Sequence, residues 1–185
     1  VWYIGAVTWG LPQGVFATSA QGAELWIGAA TANITPDRPL PLTGNTAVRI
    51  GREVLDPCTA NVLALESRDG ERALDQAILV ACDLCVIRPG IQEGFRKHLA
   101  DRLPGFDLDK LFLAATHTHT APVLLQDRYD ERDYEDAMQP KEYVPWMYEQ
   151  MAQAVVKAWE SREAGAVAWG LGHAVAGHNR RVVYS

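Results

Sequence analysis

Residues 59–82 read TANVLALE (59–66), SRDGER (67–72) and ALDQAILVAC (73–82), and the reading of this stretch decides the fold. Two runs rich in apolar and β-branched residues flank Asp69-Gly70, a dipeptide that reverses the chain tightly between strands. The segment therefore predicts a β-hairpin. Within it, Ala77 to Cys82 (AILVAC) is apolar without alternation, which predicts a strand covered on both faces.

Working outward, Leu25 to Ile34 carries small and β-branched residues without a helical stripe, and Thr35-Pro36-Asp37 stops it, so it reads as a first strand. Residues 36–46 hold three prolines and one glycine, a composition expected to sustain neither ladder nor helix but able to line a site. Downstream, Pro89 opens a helix with Ile91, Phe95, His98, Leu99 and Leu103 at three-to-four spacing, ending at Pro104-Gly105. Leu111 to Ala115 is an apolar strand. Residues 127–136 carry six acids against two arginines and read as a solvated loop. A long helix spans about Lys141 to Glu163, with Met147, Met151 and Val155 on its core stripe, and Ala164 to Ala176 reads as a strand leading into Gly177-His178-Asn179-Arg180-Arg181. This order predicts an α/β layered domain with a central mixed sheet covered by helices.

The length of 185 residues fits one ordinary domain or a large piece of one. A formal charge of -6, with no Lys/Arg cluster, supplies no basic face for phosphates, which excludes a nucleic-acid partner. The three cysteines, Cys58, Cys82 and Cys85, cannot all pair with one another and read as small buried hydrophobes. Val1 to Val15 is apolar and uncharged, and Phe16-Ala17-Thr18-Ser19-Ala20 offers small residues spaced as signal peptidase prefers. Residues 1–20 are thus expected to be the tail of a signal peptide, with a mature start near Gln21 and a secreted or periplasmic destination. The stretch is too short for a transmembrane segment.

The chemistry concentrates in LFLAATHTHTAP (111–122). On an extended backbone His117 and His119 project to the same side, about 6–7 Å apart along the strand. Such a pair sits where open α/β sheets bind ligands, beyond the carboxyl ends of strands, and neutral imidazole is the commonest side-chain ligand of zinc. The alternative reading is a pair of loop histidines hydrogen-bonded to their flanking threonines. Asp83, at the end of the hairpin's second strand, could orient a ligand histidine or cap the loop toward Pro89. His98, His173 and His178 read as structural or surface residues.

Thr116-His117-Thr118-His119-Thr120-Ala121-Pro122 resembles the Thr-His-Thr-His-Ser-Gly-Pro signature of the neutral/alkaline ceramidases. Residues 27–36 (IGAATANITP) are similar to that family's opening strand, Leu42-Thr43-Gly44 to the turn after it, and residues 56–66 to its Asp-Pro-Leu-x-Ala-Arg-Ala-Leu block. Asp83-Leu84 and Asn179-Arg180 also fall at matching positions. Arg181 departs from the pattern, replacing a small residue. The resemblance implies a zinc amidase that cleaves the N-acyl bond of ceramide or a related lipid amide, met at a membrane surface. By it, residues 21–185 are the N-terminal portion of a catalytic domain. His117 would be a Zn2+ ligand, His119 would face the scissile carbonyl or the zinc-bound water, and Arg180 would stabilise the oxyanion. Asn179 is a candidate to support it from beside, and Asp83 keeps both of its readings. The family's further ligands and its serine would come from beyond residue 185, so the 185 residues alone are expected to be inactive.

Two other readings compete. A metal-dependent amidohydrolase barrel also carries His-x-His at a strand end. It places the motif on its first strand, however, and the roughly 66 residues that follow here are too few for the rest of a barrel of about 250. A catalytically silent secreted binding module with the same fold is the non-enzymatic alternative.

Overall fold

The structure is a computed structural model, and it describes residues 22–174. Its elements in chain order are β1 (Glu24–Asn33), β2 (Leu40–Leu42), β3 (Arg49–Gly51), β4 (Thr59–Asp69), β5 (Arg72–Cys82), α1 (Pro89–Leu99), β6 (Leu111–Ala115), α2 (Pro140–Glu160) and β7 (Glu163–Gly165). The predicted hairpin is β4–β5, reversing at Gly70 with a φ of 61°. It forms the middle of a five-stranded sheet ordered β6-β5-β4-β1-β7. Among the described strands only β5 and β6 run parallel, joined by the crossover helix α1, and the other pairings are antiparallel, so the sheet is mixed as expected.

One face of this sheet makes the core. Val62, Ala64, Ile78, Val80 and Leu111 pack against Phe95 and Leu99 of α1 and against Met147, Met151 and Val155 of α2, all buried. Full burial of each large side chain contributes about 1.5–3 kcal/mol, so this layer holds the sheet flat against its helices. β1 approaches α2 most closely at Gly28, where an added Cβ would lie 1.9 Å from the Ala158 carbonyl oxygen. At the far end of α2, Glu66 is only 6% exposed and accepts from Arg68 at 2.7 Å and from Arg162 at 2.9 Å. Burial pushes its carboxyl upward, but the two guanidinium groups outweigh burial and hold it below its ordinary value.

The structure departs from the sequence reading at several elements. AILVAC is covered on one face only: Ile78, Val80 and Cys82 point into the core, while Leu79 is exposed. Leu63 and Phe112 flank Leu79 on β4 and β6 and are exposed with it. Among the described residues both helices lie on the opposite face. The Pro-rich loop does contain a ladder, the β2–β3 ribbon, in which Pro41 lies opposite Ile50 and its carbonyl accepts from Val123 N at 3.0 Å on the other side. Helix α1 stops at Leu99, four residues short of Leu103, although Leu103 remains buried. The last strand is three residues long, with Trp169 and Leu171 exposed beyond it. All six acids of residues 127–136 are exposed, and all three cysteines are free. Burial pushes the Cys82 thiol up to about 12. The signal-peptide segment and residues 175–185 lie outside the described residues.

Two outcomes follow. Gly28→Ala is expected to lower stability by about 3 kcal/mol, since a methyl group must displace helix backbone; a urea midpoint shift equivalent to under 1 kcal/mol would contradict this packing. On α2, Glu149 accepts from Arg102 at 2.7 Å and from Gln153 and His98, which lowers its carboxyl from 4.5 to about 2. A depressed folded value stabilises above the unfolded one and is lost as pH falls through the folded one. The urea midpoint should therefore drop more steeply between pH 4.5 and 2 in the wild type than in Glu149→Gln.

Candidate metal centre

Parallel pairing places Cys82 beside Ala115, so β5 and β6 end on the same edge and the chain leaves both in the same direction. The pairing continues past the strands: Thr116 N donates to Cys82 O at 2.9 Å and His117 N to Leu84 O at 3.0 Å. Asp83 stitches this edge together. Its carboxylate accepts from Thr59 N (2.9 Å), Thr59 Oγ1 (2.8 Å) and Thr116 Oγ1 (3.2 Å), so it holds the residue before His117 and touches neither imidazole.

His117 adopts a φ of 65°, a left-handed conformation that costs a non-glycine residue about 1–3 kcal/mol. The extended backbone expected through His117 and His119 is therefore absent: the strand ends at Ala115 and the chain turns. The turn brings the rings together more tightly than strand alternation would. His117 Nε2 and His119 Nε2 lie 3.3 Å apart, with the rings inclined at 75°. His117 Nδ1 donates to the Cys85 carbonyl at 2.7 Å, which leaves the lone pair of the neutral imidazole on Nε2.

His119 is fixed from the other side by the Pro-rich segment. Thr43 N donates to Ala121 O at 3.0 Å, the Arg49 guanidinium donates to the His119 carbonyl, and Tyr129 and Arg128 donate to Asn45 O. Gly44, with a φ of 103°, lies so close beneath the ring that a Cβ there would come within 2.4 Å of His119 Cγ. A cleft of about 430 Å³ opens beside this contact, lined by Arg38, Leu40, Leu55, Cys58, Thr120 and Pro122.

The pair fits a metal ion. Two nitrogens each about 2.0–2.1 Å from a tetrahedral zinc are separated by about 3.3–3.4 Å, and a ligand histidine usually donates its other ring nitrogen to a carbonyl or carboxylate. The observed 3.3 Å separation and the Nδ1 contact to Cys85 O match both requirements. Cys85 completes a group in which one ligand atom from each of Cys85, His117 and His119 lies within 4.8 Å of the others. The sequence reading passed over Cys85 as a buried hydrophobe. Of the remaining histidines, His98 contacts Glu149 on the helix layer and His173 is exposed, both away from the pair. Asn179, Arg180 and His178 lie outside the described residues.

The fold has counterparts among solved structures. The chain superposes on neutral ceramidase from Pseudomonas aeruginosa with a TM-score of 0.63, and on ceramidase complexed with C2 with a TM-score of 0.64, at 18% identity in both. It has a neutral ceramidase fold. The match covers 77% of this chain and 22% of each ceramidase chain, so the chain spans about a fifth of the length of the ceramidases it matches. No family model matches the sequence, and no curated protein sequence matches it.

Gly44→Ala is expected to push the His119 ring off His117, seen as a change in the imidazole NMR signals of His119 much larger than any in those of His98. Unmoved His119 signals would contradict the packing of Gly44 on the ring.

Proposed function

We propose that this chain contributes the zinc-binding edge of a hydrolase of the neutral ceramidase type, cleaving the N-acyl amide bond of ceramide or a related lipid amide. The observation that carries this reading is the 3.3 Å convergence of two imidazole Nε2 atoms at the mouth of a parallel strand pair, close enough for one to hold an ion and the other to face what the ion activates. The ceramidase fold of the surrounding sheet supports it.

A bound Zn2+ would supply Lewis acidity toward an amide carbonyl and acidify water at the same position. The chain's own residues divide the remaining work. His117, fixed through Nδ1 and held in its turn by Leu84 O, presents Nε2 to the ion. His119, less fixed through its ring nitrogens, faces the scissile carbonyl and the attacking water. By the ceramidase resemblance Arg180, with Asn179 beside it in sequence, would stabilise the charge that develops on the carbonyl oxygen. The cleft beside Thr120 combines apolar walls with Arg38 and would receive the amphipathic substrate, presented at a membrane surface by a secreted enzyme. No helix among the described residues is long and apolar enough to cross a membrane. Further ligands would come from other parts of the catalytic domain, because a catalytic zinc normally takes three protein ligands and the family pattern supplies its other ones elsewhere.

The test uses the full-length protein, a fluorogenic ceramide and metal analysis. Chelation should abolish turnover and Zn2+ restore it. His117→Ala should deplete zinc and activity together, whereas His119→Ala should lower turnover more than metal content. Arg180→Ala should cost about 100-fold in kcat with little change in KM, and Arg181→Ala much less. Full zinc occupancy in His117→Ala, or an Arg181→Ala variant more crippled than Arg180→Ala, would overturn these assignments.

A further inference from the structure

The main chain around His119 is fixed by Arg49 on its carbonyl and by Thr43 N on Ala121 O, which leaves the aim of the ring to be accounted for. Among the described residues the hydrogen-bond contact of that ring is the 3.3 Å approach to His117 Nε2. Packing must therefore set its direction, and the closest packing partner is Gly44. Gly44 has a φ of 103°, a region in which glycine moves freely, so the Gly44–Asn45 turn supplies little stiffness of its own. The restraint comes from another segment. The Asn45 carbonyl accepts from Tyr129 Oη at 2.7 Å and from Arg128 Nη2 at 2.9 Å, and Tyr129 Oη also reaches Leu42 O at 3.3 Å.

The acidic run that carries these two donors is itself anchored. Tyr134 is buried, Met138 N donates to Pro39 O at 2.8 Å, and the Gln126 side chain accepts from Lys141 N at 3.1 Å. The Arg128 guanidinium lies 4.9 Å over the half-buried Tyr129 ring, so the two donors brace each other. Tyr129 thus links a fixed base to a pliable turn.

We infer that Tyr129, with Arg128 beside it, is a positioning residue for His119: the pair latches the Asn45 carbonyl, and the latched turn keeps Gly44 against the imidazole. This rests on the reading of His119 as the group that faces the scissile carbonyl, and it gives a task to a segment whose charge reads as a solvated loop. Both donors share one acceptor. Either alone keeps the turn in place, whereas loss of both frees it to move from beneath the ring, and residues coupled in this way show non-additive effects. A displacement of about 1 Å at a reacting group can cost roughly 100-fold in rate.

The experiment uses the full-length protein and a fluorogenic ceramide, with zinc content, thermal midpoint and the imidazole NMR signals of His119 measured on each variant. Tyr129→Phe, which removes only the hydroxyl, and Arg128→Ala should each lower kcat by only about 3-fold, as loss of one of two hydrogen bonds does. The double variant should lose about 100-fold in kcat, well beyond the product of the single effects, with KM, zinc content and thermal midpoint unchanged. Its His119 signals should move while those of His98 stay in place. Arg132→Ala, whose guanidinium pairs with the exposed Asp130 on the same run, should keep the wild-type kcat. A double variant with wild-type kcat, additive effects, or a fall in kcat matched by loss of zinc or of thermal stability would overturn the positioning role. If the wild type itself does not hydrolyse the amide, the proposed function fails and the NMR signals still decide the latch: unmoved His119 signals in the double variant would overturn it.

Discussion

Parallel pairing of β5 with β6 is the constraint from which the site follows. In an antiparallel pair the ends that follow Cys82 and Ala115 would lie at opposite edges of the sheet. Here they emerge together, and the residues just past each strand, Asp83 to Cys85 and Thr116 to His119, become neighbours. Parallel strands require a crossover, and α1 supplies it. The burial of Ile91, Phe95 and Leu99 against the sheet is therefore also what holds the two strand ends in register. A site at the carboxyl end of parallel strands is the general expectation for open α/β sheets, and this sheet has a single place where it can occur among its described strands.

Much of this was legible in the residues. Asp69-Gly70 marked the hairpin, Pro89 the start of α1, and the apolar run Leu111–Ala115 the strand that delivers the histidines. Local chemistry decides each of these: a turn that needs a left-handed residue, a helix start that tolerates a missing N–H, a run too short and too apolar for anything but a strand. What escaped was set by partners distant in sequence. AILVAC looks like a doubly covered strand because all its side chains are apolar, but which face carries helices depends on where α1 and α2 land. Pro41 looks like a ladder breaker until its place between Ile50 and the chain at Val123 is known. Cys85 looks like core because nothing in its own neighbourhood says that Ala115 runs alongside Cys82.

The histidine pair shows the same division. The motif pointed to two imidazoles facing one cavity, and the structure brings them together, but by a different route. An extended strand would hold the rings about 6–7 Å apart. A tetrahedral ion needs its two nitrogens at about half that separation, and the left-handed turn at His117 closes the difference. Such a conformation persists only when its surroundings over-determine it. Backbone bonds from Thr116 N to Cys82 O and from His117 N to Leu84 O, the Nδ1 contact to Cys85 O, and Gly44 beneath His119 provide that over-determination.

Every one of those restraints is neutral. The carboxylate nearest in sequence, Asp83, is spent on threonine hydroxyls and a backbone N–H, and the Arg49 guanidinium reaches only the His119 carbonyl. The charged groups that brace the centre thus act through the backbone and the threonines, and neither bonds to an imidazole nitrogen. That arrangement matters for a Lewis acid, since each anionic ligand reduces the positive charge an ion can direct at a carbonyl. Neutral imidazole would leave a bound dication its full charge, whereas each carboxylate added beside it would cancel part of that charge. By binding Asp83 to Thr59 and Thr116, the fold keeps a rigid anchor for His117 and withholds its negative charge from the histidine pair.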